Sequence, residues 1–216
     1  MKKNKDFQEI YGFHSVLAAL SNNERKHRKI ILTSNIKKNI KKKLLQKVGS
    51  IIELSLRQIN QIYGHETKHQ GIILETSILI QPSLKEIINN SKKKEIIVML
   101  DQVTDPQNIG SIIRSCSVFN CNNIIVTKNN SPEITPAITK AASGALEVVN
   151  YIKVTNLSRA IKFFKKNNFW IIGLDNNEKN FEKKLSLPNK CLLILGAEHR
   201  GLRDLTKKEC DEIQTI

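Results

Sequence analysis

Hydrophobic and polar positions divide the chain into two stretches in which strand patterns alternate with helical ones. In the first, the apolar runs Lys29–Leu32, Ile51–Leu54 and Gly71–Thr76 are separated by residues with helical spacing. This pattern predicts a small α/β domain. The second stretch opens with the run Glu95–Leu100 and alternates as far as Cys191–Leu195, which predicts a mainly parallel sheet covered by helices.

Positive charge is concentrated in the first stretch. Ile36, Ile40, Leu44 and Val48 recur at helical spacing with lysines between them, which predicts one amphipathic helix with a basic outer face. Residues 1–94 carry a net charge of +12 and the remainder +3, out of +15 in total. This asymmetry favours a polyanion such as nucleic acid as the partner of the first stretch, although a general drift towards lysine would also raise the charge.

We expect domains at 1–76 and 95–216, with a linker at 77–94 where Pro82 and a lysine run interrupt the pattern. No apolar run approaches the ~20 residues that a membrane span needs, and the basic start lacks the apolar segment of a secretory signal. The four cysteines form no C-x-x-C pair. They are therefore expected to be reduced core residues of a cytoplasmic protein.

Chemistry is expected at the turn that joins the run EIIVML to a helix over 108–119. Asp105 and Pro106 end the strand, and Asn108 lies at the expected helix start. Arg114 follows nearly two helical turns later, so its long side chain could reach the same rim. The carboxyl ends of parallel strands are where α/β proteins bind their ligands. A capped helix with a solvated arginine is the structural alternative.

A second candidate turn follows the last apolar run. Gly196 and Gly201 flank Glu198 in the segment GAEHRG. Two glycines around one carboxylate predict a pocket lined by backbone, suited to a ligand with amines or hydroxyls, although a tight turn with an exposed glutamate would have the same sequence. The glycine-rich fingerprints of dinucleotide and Walker-type phosphate sites do not occur in the chain.

The segment His65–His69 matches the zinc motif H-E-x-x-H letter for letter. That motif binds zinc when both histidines lie on one helix. Gly64 and Gly71 bracket the segment and leave about one helical turn at most. We therefore predict a polar loop that enters a strand, and no metal site.

The segments NIGSIIR at 108–114 and LGAEHRGL at 195–202 closely resemble the first two signature motifs of the SpoU/TrmH family of RNA ribose 2′-O-methyltransferases. The segments YGFHSV at 11–16 and HQGI at 69–72 extend the resemblance to the N-terminal domain. The arrangement looks most like the branch that methylates a guanosine of 23S rRNA. The resemblance implies a C-terminal methyltransferase domain of the trefoil-knot type, an RNA-holding N-terminal domain similar to ribosomal protein L30e, and a homodimer.

The resemblance also implies a set of site residues. They are Asn108, Arg114 and Glu198 for catalysis, and Gly196, Gly201 and Ile216 for binding S-adenosylmethionine. The family's third motif would begin shortly after Ile216, so the knot is expected to be incomplete in this chain. An rRNA guanosine methyltransferase is therefore the first hypothesis, and a truncated, inactive RNA-binding protein is the alternative.

Overall fold

The computed structural model describes residues 6–129, 131–175 and 187–215. The chain forms two compact units, each built from two segments: Met1–Ile80 with Ile134–Glu147, and Gln81–Glu133 with Val148–Ile216. The chain passes between the units three times, and the first of these points, between Ile80 and Gln81, falls within residues 77–94. The segment Ile134–Glu147 differs from the sequence-based division, because its contacts group it with the first unit.

The first unit contains a four-stranded sheet with the order β1-β4-β2-β3. Strands β1 and β2 are antiparallel to β4, whereas β3 is parallel to β2. Its strands are β1 (Phe7–Tyr11), β2 (His27–Leu32), β3 (Val48–Glu53) and β4 (Ile72–Ser77). The helices of its N-terminal segment are α1 (Phe13–Ser21), α2 (Ser34–Lys38), α3 (Lys42–Leu45) and α4 (Leu56–Tyr63).

The single helix expected from Ile36 to Val48 was wrong. Helix α2 ends at the cap residue Asn39, α3 starts after Lys41, and Val48 already pairs with His27 in the parallel ladder of β3 with β2. The hydrophobic spacing still fits the structure, since Ile40 and Val48 are buried in one core cluster. Pairing of β3 with its neighbour therefore overrides the local helical pattern.

The segment Ile134–Glu147 supplies the first unit with α7 (Pro136–Ala142), numbered in chain order, and a 3₁₀ turn at Ala145–Glu147. The Ser15 hydroxyl donates to the carbonyl of Thr139 at 2.9 Å. A buried ion pair joins Arg25 to Glu147 at 2.8 Å. These contacts explain why the segment groups with the first unit.

The second unit contains a six-stranded parallel sheet with the order β10-β8-β9-β5-β6-β7. The parallel sheet predicted from sequence is confirmed. Its strands are β5 (Glu95–Leu100), β6 (Asn123–Thr127), β7 (Asn150–Val154), β8 (Trp170–Asp175), β9 (Lys190–Leu195) and β10 (Glu212–Thr215). Its helices are α5 (Leu84–Asn89), α6 (Pro106–Val118), α8 (Leu157–Lys166) and α9 (Asp204–Glu209).

The core of the second unit is continuous from the sheet to its helices, with Ile97, Met99, Phe164 and Leu192 among its buried residues. All four cysteines are free thiols, and three of them are buried. Burial raises the pKa of the Cys191 thiol to about 11, so this thiol stays protonated at neutral pH. Within the described part of the chain, no helix is both long and apolar enough to cross a bilayer.

Candidate active site

The first candidate turn follows β5 and leads into α6. The Asp105 carboxylate caps the helix by accepting hydrogen bonds from the backbone N–H groups of Gln107 and Asn108, each at 3.2 Å, and Pro106 occupies the first turn. This cap leaves the Asn108 side chain exposed at the helix start. Gln102 adopts φ of 62°, a left-handed conformation that is unfavourable for a residue with a Cβ atom and is often found at functional sites.

The second candidate turn follows β9 and is a very tight hairpin. Ala197 and Gly201 exchange two backbone hydrogen bonds, of 3.1 and 2.8 Å. Gly201 has φ of 61°, and a Cβ atom on Gly196 would lie 2.3 Å from the carbonyl carbon of Gly201. Both glycines are therefore required by the backbone geometry, and the hairpin presents Glu198 at its tip.

The structure brings Asn108 and Glu198 together. The Asn108 side-chain amide donates to the Glu198 carboxylate at 3.4 Å. Both residues line a cavity of about 570 Å³ at the carboxyl edge of the sheet. The cavity is formed by residues of the two turns and of the first turn of α6: Gln102, Val103, Thr104, Asp105, Asn108, Ala197, Glu198, His199 and Arg200.

The other residues expected at the site lie around this cavity or beyond it. Gly196 and Gly201 shape the hairpin but are not among the residues that line the cavity. Arg114 is exposed on α6 and also does not line it. Ile216 lies outside the described residues. The roles assigned to these residues from sequence stay predictions.

Two buried aspartates hold the second turn, and the sequence analysis missed both. Strand β9 lies between β5 and β8 in the sheet, so its turn is flanked by Asp101, directly after β5, and by Asp175, at the end of β8. Asp101 is 0% exposed and Asp175 is 1% exposed. A buried carboxylate needs hydrogen-bond or ionic partners. Both residues find those partners at the base of the hairpin.

Asp101 fixes the segment that leaves the hairpin. Its carboxylate accepts hydrogen bonds from the Arg203 backbone N–H at 3.2 Å, from Arg203 Nε at 2.6 Å and from the Thr206 hydroxyl at 2.6 Å. The start of α9 is thereby tied to the end of β5. The sequence signal for this role was an acidic residue directly after an apolar strand, next to the residues of the first turn.

Asp175 holds the hairpin from the other side. Its carboxylate accepts a hydrogen bond from the Leu202 backbone N–H at 3.2 Å and pairs with Lys207 Nζ at 2.6 Å. A Cβ atom on Gly201 would come within 2.8 Å of both carboxylate oxygens. The close approach of Asp175 is thus a second reason for glycine at position 201.

The cavity fits the cofactor that was expected from sequence. Its volume lies in the range of pockets for small ligands, which is about 300–1,000 Å³. The tight hairpin that Gly196 and Gly201 permit brings Ala197 and Glu198 to the cavity wall. The Glu198 carboxylate gives an acceptor for amine or hydroxyl groups and a negative charge beside a sulfonium. Asn108 adds an amide donor on the same wall.

The first unit presents a basic surface. Six lysines lie between Ser34 and Val48, where there is no acidic residue, and all six are exposed. Lys37 pairs with Glu53 at 2.9 Å, and Lys47 donates to the carbonyl of Leu20 at 3.2 Å. Most of this charge therefore faces solvent, where it can bind phosphate groups.

The H-E-x-x-H segment lies in a loop that begins at Gly64, where α4 ends. The ring of His69 is hydrogen-bonded on both nitrogens, to the Asn60 amide oxygen at 2.8 Å and to the Gly71 backbone N–H at 3.0 Å. Within residues 6–129, 131–175 and 187–215, no group of three His, Cys, Asp or Glu side chains could hold a metal ion.

Two family models match the chain. The model of the SpoU rRNA Methylase family matches residues 95–216, and the model described as RNA 2′-O ribose methyltransferase substrate binding matches residues 10–82. The first therefore covers the residues of both candidate turns.

The chain also resembles proteins that are named as RNA methyltransferases or SpoU methyltransferases. The chain is 31% identical over 216 residues to the 23S rRNA (guanosine-2′-O-)-methyltransferase RlmB of Coxiella burnetii, covering 97% of this chain and 86% of the relative. It is 32% identical over 215 residues to an uncharacterized tRNA/rRNA methyltransferase of Synechocystis, of which it spans 56%. Its fold matches the SpoU methyltransferase AviRb of Streptomyces viridochromogenes in complex with AdoMet, with a TM-score of 0.78 at 18% identity, covering 98% of this chain and 81% of that one.

Proposed function

Because the chain belongs to the SpoU rRNA methylase family, whose members are S-adenosylmethionine-dependent methyltransferases, we propose that it methylates the ribose 2′-hydroxyl of a guanosine in 23S rRNA. The observation that carries this proposal is the contact of Asn108 with Glu198 on one cavity at the carboxyl edge of the sheet. The cofactor supplies a methyl group on a sulfonium centre. The choice of guanosine in 23S rRNA follows the named activity of the curated relatives.

The residues of the cavity suit methyl transfer to a hydroxyl. A ribose hydroxyl is a weak nucleophile, so it needs a proton acceptor or a strong orienting field. In the proposed complex, the Asn108 amide donates to the hydroxyl oxygen, where negative charge develops. Glu198 orients Asn108 and accepts from the amine or hydroxyl groups of the ligand. The hairpin residues Ala197 and Glu198, held in place by the turn that Gly196 and Gly201 permit, form the wall against which the cofactor lies.

Arg114 is proposed to bind the RNA phosphate next to the reacting ribose and to stabilise the developing alkoxide. A guanidinium stays protonated in proteins, which makes it a better clamp than a base. Arg114 is exposed on α6 and is available to RNA. Substitution by lysine keeps the charge but removes the forked geometry. Retained activity in Arg114→Lys would contradict both the clamp and the base.

The remaining expectations from sequence belong to the same proposal. Residues 1–76 form the RNA-binding domain with the L30e-like fold, residues 77–94 a linker and residues 95–216 a methyltransferase domain of the trefoil-knot type. The protein works as a cytoplasmic homodimer. The substrate-binding family model at residues 10–82 and the exposed lysines of α2 and α3 support the first part.

Methyl transfer to 23S rRNA tests the proposal directly. The protein is incubated with labelled S-adenosylmethionine and 23S rRNA that lacks the modification, and methylated riboses are mapped by their alkali-resistant linkages. We expect label at one guanosine. Asn108→Ala and Glu198→Gln should abolish transfer while RNA binding is unchanged.

The outcomes separate the two functions considered from sequence. Label at a base atom or at many riboses would contradict the proposed reaction. Intact RNA binding with neither cofactor binding nor transfer would favour the non-catalytic RNA-binding protein. In both cases RNA affinity should fall steeply with salt concentration, because phosphate neutralisation releases counterions.

A further inference from the structure

A second concave surface lies at the amino edge of the parallel sheet, at the opposite ends of the strands from the candidate active site. Trp170 is the first residue of β8 and Lys190 the first of β9. They border a cavity of about 630 Å³, together with Lys93 before β5 and Lys165 near the end of α8. We call this surface the amino-edge groove. Six-residue strands rising about 3.3 Å per residue separate it from the active-site edge by about 20 Å.

Trp170 is the unusual feature of this groove. It is the only tryptophan of the chain, and it is 46% exposed. The neighbouring Phe169 is 3% exposed and packs in the core, with Lys190 Nζ lying 5.6 Å from its ring centroid. The fold therefore buries one of two adjacent aromatic rings and leaves the larger one partly in solvent, between lysines. An aromatic face in a basic groove is the arrangement used to bind unpaired bases.

The charge of the groove is positive. Three lysines and one acidic residue, Asp211, line it. The Asp211 carboxylate already pairs with Lys165 Nζ at 2.8 Å and accepts the Ile171 backbone N–H at 2.8 Å. Lys93 is exposed, as are the lysines adjacent to the lining residues in sequence, at positions 92, 94 and 166. The groove therefore complements a polyanion rather than an apolar or cationic partner.

From the ring and the charge together we infer that the amino-edge groove binds single-stranded RNA. One base stacks on Trp170, and the neighbouring phosphates lie against Lys93 and Lys190. The inference rests on the proposed function only in taking RNA as the substrate. At this distance from the cavity the bound nucleotide cannot be the one that is methylated. The groove instead holds an unpaired stretch of the same RNA, and so adds to affinity and to the choice of substrate.

Intrinsic fluorescence tests the inference, because Trp170 is the only tryptophan and its emission reports on this groove alone. Short oligouridylate is titrated into the protein while tryptophan emission and the anisotropy of labelled RNA are both followed. We expect quenching of the emission with the same midpoint as the anisotropy change. The logarithm of the association constant should fall linearly with the logarithm of the salt concentration, with a slope of about −0.7 for each phosphate contact. Lys93→Gln should reduce that slope by one such contact.

Variants separate stacking from charge. Trp170→Ala should weaken oligouridylate binding about tenfold, which corresponds to one stacked base, and Trp170→Phe should restore most of the affinity because it keeps an aromatic face. Phe119→Ala is the matched control: Phe119 is 75% exposed in the same unit but does not line the groove. Its RNA affinity should equal that of the wild type. Cofactor affinity and circular dichroism should be unchanged in all three variants.

Some results would overturn the inference. If RNA binds by anisotropy while Trp170 emission stays constant, the RNA is held elsewhere on the protein. If an acidic peptide quenches the emission and RNA does not, the groove binds a protein. Neither result affects methyl transfer by the wild type. Conversely, an inactive protein whose Trp170 emission is quenched by RNA would contradict the proposed function and retain the inference about the groove.

Discussion

Replacing Asp101 by asparagine should disturb the hairpin of the candidate active site without changing the shape of the side chain. The carboxylate accepts three hydrogen bonds through two oxygens: Arg203 Nε reaches one, and the Arg203 backbone N–H and the Thr206 hydroxyl reach the other. An amide has one acceptor oxygen, and its NH₂ group must then face a donor. At least one bond is therefore lost, and the start of α9 is released from β5.

The cost can be worked out from these contacts. A hydrogen bond to a charged group contributes about 1.5–3 kcal/mol. The Arg203 side chain is 39% exposed, so its guanidinium regains water when the pair is broken. The loss should then lie near the lower end, about 2 kcal/mol. For a protein of this size such a loss lowers Tm by about 4–8 °C. Displacement of the hairpin should lower kcat/KM for methyl transfer by about 10- to 100-fold.

Thermal unfolding followed by circular dichroism and methyl transfer to 23S rRNA measure the two effects. Asp204→Asn is the matched control, because it removes the same charge from an exposed residue at the start of α9. This control should cost less than about 1 kcal/mol. If Asp101→Asn had the Tm and kcat/KM of the wild type, the hairpin would not depend on this carboxylate, and the account of the site given above would be refuted.

Three further predictions concern other contacts. Gly196→Ala should abolish cofactor binding in calorimetry, because its Cβ atom would lie 2.3 Å from the Gly201 carbonyl carbon; wild-type affinity would contradict the described hairpin. Burial, and then the positive charges of Arg25 and a nearby lysine, lower the pKa of His27 below 6.5 in the folded protein. As the pH falls below 6.5, the unfolded chain therefore binds a proton at this histidine before the folded chain does, and the free energy of unfolding decreases. Denaturant titrations between about pH 5 and 7 should show that His27→Gln weakens the dependence of the free energy of unfolding on pH. An unchanged dependence would mean that other groups cause it. Glu147→Ala should lower the free energy of unfolding by about 3–5 kcal/mol, because the buried Arg25 loses its carboxylate partner. Adding Arg25→Met to the same chain should recover much of that loss.

The sequence by itself determined the two turns of the candidate active site. A buried parallel strand is marked by a continuous apolar run, and the polar residues after it must lie at the carboxyl edge of the sheet. Asn108 and Glu198 could therefore be assigned to one edge before their contact was known. Gly196 and Gly201 carried a further signal, since glycines on both sides of a carboxylate predict a tight backbone.

Only the tertiary structure decided which polar residues hold these turns. Asp101 and Asp175 are 74 positions apart along the chain, and they flank one hairpin because β9 lies between β5 and β8. The order of strands in a parallel sheet is set by packing of the whole sheet, which no local pattern contains. The end of helical structure before Val48 has the same origin, because the pairing of β3 with β2 outweighs a helical spacing. Tertiary packing likewise decided that Phe169 is buried in the core while the adjacent Trp170 is partly exposed, because the local sequence does not say which of two neighbouring aromatic rings faces inward.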